Sequence, residues 1–99
     1  ILEEISKIHE RHEVEDEIKR KAERCLNYIV KSAEREGLKA SSILVEGQPH
    51  DQIVRHAESL GTDIIVMGSK GRRGTNRILI GSVAERVIEY APCPVLVIR

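Results

Sequence analysis

Ninety-nine residues fit one domain, since domains run roughly 100–150 residues, and they leave no room for two independent cores. Apolar residues at 40% and charged residues at 32% give a globular rather than a disordered balance. Sixteen Lys plus Arg offset sixteen Asp plus Glu, and a net charge of zero argues against nonspecific nucleic-acid binding, which needs surplus cations to displace counterions from phosphates.

The first 36 residues read as helix. Ile1, Leu2, Ile5 and Ile8 fall at helical spacing, and Ile18, Ala22, Cys25, Ile29 and Ala33 continue an apolar stripe. The polar patch Glu10-Arg11-His12-Glu13 interrupts it, so a break near residues 9–13, or two helices joined there, is expected. Glu15–Lys19, Asp16–Arg20 and Glu17–Lys21 are acid-first pairs at i, i+4, the orientation that supports an exposed helical face. Gly37 suits the position just past the helix end, where a positive φ is cheapest for glycine.

After Gly37 the period changes. Ala40 to Val45 reads as a short apolar strand closed by Glu46 and Gly47. Pro49 is placed to open a helix, where its missing N–H costs nothing. Ile53, Val54, Ala57 and Leu60 mark its inner face, and Gly61 ends it. Ile64 to Met67 is a continuous apolar run, as expected of a parallel strand covered on both faces. A glycine-punctuated basic loop runs from Gly68 to about Ile80. Gly81 and Ser82 open a helix with Val83, Val87 and Ile88 inward, ending at Ala91 and Pro92, and Val95 to Ile98 is the last strand. Strands alternating with helices of this length imply parallel βαβ units with right-handed crossovers. The expected class is α/β, an open parallel sheet with helices on both faces, in a single domain over residues 1–99.

The chemistry concentrates after Met67. In open parallel sheets, ligands sit outside the carboxyl ends of the strands, and the loop there reads Gly68-Ser69-Lys70-Gly71-Arg72-Arg73-Gly74-Thr75. Gly68 and Gly71 let backbone approach a ligand where a Cβ would collide. The helix opened by Gly81, Ser82 and Val83 offers free N–H groups and a positive dipole end, and Ser82 adds a hydroxyl donor. Lys70, Arg72, Arg73 and Arg77 add four cations. Together these ask for a phosphate-bearing ligand; the competing reading is an ordinary turn followed by a helix start. A P-loop spacing is absent, and so is G-x-G-x-x-G.

The pattern Gly68-x2-Gly71-x9-Gly81-Ser82 resembles the nucleotide-binding motif of the universal stress protein family. The flanks match too, with Asp63 to Ser69 before it and Ala91 to Ile98 after it. The resemblance covers about residues 14–99 and is densest over 63–98. It implies an adenine nucleotide alpha hydrolase-like, Rossmann-like fold that binds ATP. The backbone at Gly68 and Gly71 would hold ribose and phosphates, Gly81 and Ser82 the β- and γ-phosphates, and Val83 would contribute its backbone, with Met67 at the mouth of the strand. Arg72 joins this set on its charge and place in the loop. Mg²⁺ or Mn²⁺ would bridge the phosphates of a bound triphosphate. The resemblance also implies a homodimer through Val95–Ile98, an apolar edge strand uncharged until Arg99 and suited to pairing with its own copy.

One departure weighs against a complete site. The family's fold begins with a strand ending in an aspartate beside the adenosine, then a helix and a second strand, and these have no counterpart before Ile1. In the family's strand order the segment 40–45 and the strand at 63–67 would stand about three strand spacings apart, roughly 14 Å, with nothing between. The 99 residues are therefore expected to be part of a longer domain, to borrow strands from a partner chain, or to have a rearranged topology. The opening at Ile1, without a methionine, fits a processed or trimmed start.

Other residue groups carry weaker chemistry. His9 and His12 fall one residue short of the zincin spacing, so a solvated helix face is the expectation and no metal is assigned. His50 and Asp51 could form an acid–base pair, but Asp51 more simply stabilises a helix N-terminus. Cys25 and Cys93 read as buried small hydrophobes and are too few for a disulfide framework, which with no signal-peptide pattern and no apolar run near ~20 residues makes a cytoplasmic address, away from membranes, the expectation. With no Phe, no Trp and only Tyr28 and Tyr90, stacking platforms for single-stranded nucleic acid are nearly excluded. The reading is an ATP-binding sensor or switch in a stress response, with a downstream protein partner and at most slow hydrolysis, because nothing positions an attacking water. The alternatives are a nucleotide-free interaction module of the same fold, and an ATP-using enzyme with a second substrate.

Overall fold

The computed structural model describes residues 2–69 and 80–99, and side chains from residue 10 onward. The chain divides into two compact units, residues 1–44 and 45–99. The first unit is built on α1 (Leu2–Arg35), one uninterrupted helix. The break expected near residues 9–13 is absent, since the residues of the polar patch, apart from His12, rank among good helix formers and a polar face costs an exposed helix nothing. α1 ends as the glycine predicts: Gly37 has φ 80°, its N–H donates to the Glu34 carbonyl at 2.9 Å, and the Leu38 N–H donates to the Ala33 carbonyl at 3.0 Å. That pair of bonds is a Schellman motif, which satisfies carbonyls the helix would otherwise orphan. The stripe is placed differently from expectation. Ile18, Cys25 and Ile29 are exposed, whereas Ala22, Leu26, Val30 and Ala33 are its half-buried apolar positions.

Residues 40–45 do not form the expected strand; they run as irregular chain, with Ile43, Leu44 and Val45 exposed. A strand exists only when its backbone groups are paired, and the sheet among the described residues holds two strands elsewhere.

The second unit carries the α/β arrangement. α2 (Pro49–Leu60) begins with proline in its first turn and ends at Gly61, in the left-handed region at φ 62°. β1 (Ile65–Gly68) runs parallel to β2 (Val95–Ile98), with Ile65 opposite Val95, Val66 opposite Leu96, Met67 opposite Val97 and Gly68 opposite Ile98. Between them lies α3 (Ser82–Tyr90). Pro92 stops this helix by pushing Ala91 out of helical geometry, to φ −63°, ψ 139°.

Alternation along the strands sorts their side chains onto two faces. Ile65 is buried with Ala57 and Val87, and Ile53, Met67, Val83, Ala91, Cys93 and Val95 pack against them. α2 packs on α3, and α3 on β2. The other face, Ile64, Val66, Leu96 and Ile98, is exposed, so burial of the 64–67 run holds for one face only: α2 and α3 both serve the Ile65 side. Leu60 and Ile88 also stand outside the core, while Ala84 joins it at 2% exposure. A nine-residue helix has one narrow buried stripe. Val83, Ala84 and Val87 fill it, leaving Ile88 at its margin.

Candidate functional site

The site is where β1 ends and α3 begins. Ile65 donates its N–H to the Pro94 carbonyl at 3.0 Å, and Ser69, just past β1, donates its N–H to the Ile98 carbonyl at 2.9 Å. These two bonds bracket the β1–β2 ladder. Ser69 is buried, at 8% exposure, and its carbonyl accepts the Gly81 N–H at 3.2 Å. The end of one strand and the start of the next helix are thus hydrogen-bonded neighbours.

Gly81 is required there by space. A Cβ on Gly81 would lie 2.7 Å from the Ser69 carbonyl oxygen, a backbone atom that cannot swing away. Its own dihedrals, φ −62° and ψ 156°, are open to any residue, so the constraint is close approach and not backbone strain. Gly68 differs, since among the described residues a Cβ there would meet nothing closer than the Ile98 carbonyl oxygen at 3.9 Å.

The helix begins when Glu85 donates its N–H to the Gly81 carbonyl at 3.0 Å. Among the described residues, no side-chain hydrogen bond caps the start of α3. The Ser82, Val83 and Ala84 N–H groups therefore precede the first intrahelical bond, and they form the positive end of the helix dipole. Ser82 is exposed and Val83 half-buried.

Of the predicted site residues, Met67, Gly68, Gly81, Ser82 and Val83 are gathered at this junction. Met67 and Val83 pack against the core while remaining partly exposed. Gly71 and Arg72, with Lys70, Arg73 and Arg77, lie outside the described residues. Sequence reasoning passed over Ser69, although its place between Gly68 and Lys70 quoted it; a backbone role leaves no trace in side-chain chemistry. His50 and Asp51 are both in the first turn of α2, and Asp51 pairs with Arg55 at 3.2 Å across an exposed turn. That is helix support. Among the described residues, no group of three or more His, Cys, Asp or Glu could hold a metal ion, and no helix is long and apolar enough to cross a membrane.

A family model described as the universal stress protein family matches residues 2–99. The chain belongs to the universal stress protein family. Among its relatives, MJ0531 of Methanocaldococcus jannaschii is 46% identical over 82 residues, covering 83% of this chain and 48% of the relative. MJ0577 of the same organism is 44% identical over 91 residues, covering 88% and 56%. YxiE of Bacillus subtilis is 33% identical over 87 residues, covering 88% and 59%. The solved structure of MJ0577, presented as a test case of structure-based assignment of biochemical function, superposes with a TM-score of 0.82 at 41% identity, over 88% of this chain and 61% of that one. The likeness to that universal stress protein shows the α/β fold with its parallel sheet. The chain spans about half the length of the curated relatives it matches.

Proposed function

We propose that this universal stress protein chain binds an adenine nucleotide, with ATP as the favoured ligand, and works as a sensor or switch whose state follows nucleotide occupancy. The observation that supports the reading is the backbone junction at Ser69 and Gly81. It sets a helix N-terminus against the carboxyl end of a parallel strand, the location where open α/β sheets bind ligands. The glycine pattern Gly68-x2-Gly71-x9-Gly81-Ser82 brackets that junction. Arg72 and its neighbouring cations supply charge of the right sign for phosphates.

A divalent ion, Mg²⁺ or Mn²⁺, would enter with the triphosphate, because the described residues offer no carboxylate or imidazole cluster of their own. Its chemistry there would be to neutralise phosphate charge. The described residues around α3 hold no carboxylate or histidine hydrogen-bonded to Ser82, so turnover above a slow background is not expected. A homodimer through the outer edge of β2 in the cytoplasm completes the proposal.

Native mass spectrometry of the purified protein with ATP and Mg²⁺ tests the reading. The expected spectrum shows a dimer carrying nucleotide-sized adducts. A folded protein that takes up no adduct at millimolar ATP overturns nucleotide binding and leaves the interaction module of the same fold, for which the exposed Val66, Leu96 and Ile98 face offers an apolar surface.

A further inference from the structure

We draw no further inference here: the strongest candidate, the exposed apolar face of the β1–β2 sheet that carries Ile64, Val66, Leu96 and Ile98, supports none because nothing among the described residues shows what covers it.

Discussion

The packing of α3 leads to a direct comparison between two adjacent residues. Val87 is fully buried, at 0% exposure, and Ile88 next to it is 46% exposed. Val87→Ala deletes both γ-methyl groups from the core formed with Ala57 and Ile65. Transfer alone is worth about 1.6 kcal/mol at ~0.8 kcal/mol per buried carbon. A cavity of roughly 30–50 Å³ that only partly collapses adds about 1 kcal/mol. Alanine's better helix propensity returns about 0.5 kcal/mol, so the net destabilisation is about 2 kcal/mol. In a unit this small, that lowers Tm by about 8–15 °C. Ile88→Ala removes more carbon, but nearly half of the residue already faces water and little cavity forms. Its net cost is about 1 kcal/mol or less. Thermal unfolding of both variants, followed by far-UV circular dichroism under one buffer, makes the comparison. If Ile88→Ala destabilises as much as Val87→Ala, the buried stripe of α3 has been assigned to the wrong side.

Three further outcomes follow from local geometry. Gly61→Ala meets no atom of the described residues within 4 Å but must hold φ 62°, so it should cost about 1 kcal/mol through backbone strain; Gly61→Asn should cost less, and equal urea midpoints for all three proteins would contradict this. The Pro94 and Ile98 carbonyls face β1, and by alternation the Val97 N–H points to the other edge of β2. Val97→Pro should therefore convert the proposed dimer to monomer while leaving the β1–β2 bonds in place, and a sedimentation velocity profile still showing dimer would exclude pairing through that edge. Removing a surface ion pair is a milder change: Asp51→Asn breaks the Arg55 contact and weakens the charge at the start of α2, and it should lower stability by no more than about 1 kcal/mol, fading as salt rises. A loss that persists in high salt would point to a role beyond helix support.

How much was legible in advance depended on how local the cause was. Pro49, Gly37, Gly61 and Pro92 mark helix ends through dihedral preferences that each residue carries with it. The apolar runs ending at Gly68 and Ile98 became strands, and the helix between them opened at Ser82 as expected. The proposed site residues Met67, Gly68, Gly81, Ser82 and Val83 lie at or beside these boundaries. Expectations that depended on a neighbour fared differently. The segment 40–45 has strand composition, but composition supplies no partner for its N–H and C=O groups, and it runs as irregular chain. Cys25, Ile29 and Ile88 each sit one residue from a half-buried or buried position (Leu26, Val30 and Val87), and a step of one residue turns a side chain about 100° around the axis, enough to leave each of them exposed.

By itself the sequence determined the order of elements, the punctuation between them, and membership in a family whose motif clusters around one loop. These follow from φ preferences, hydrophobic period and residue identity, all short-range properties of the chain. Only the tertiary structure decided which face of β1 and β2 is covered, and that Gly81 is glycine because Ser69 stands 2.7 Å from where its Cβ would be. Residues 69 and 81 are brought together by strand pairing and helix docking, and no period or propensity within either segment encodes a distance between them.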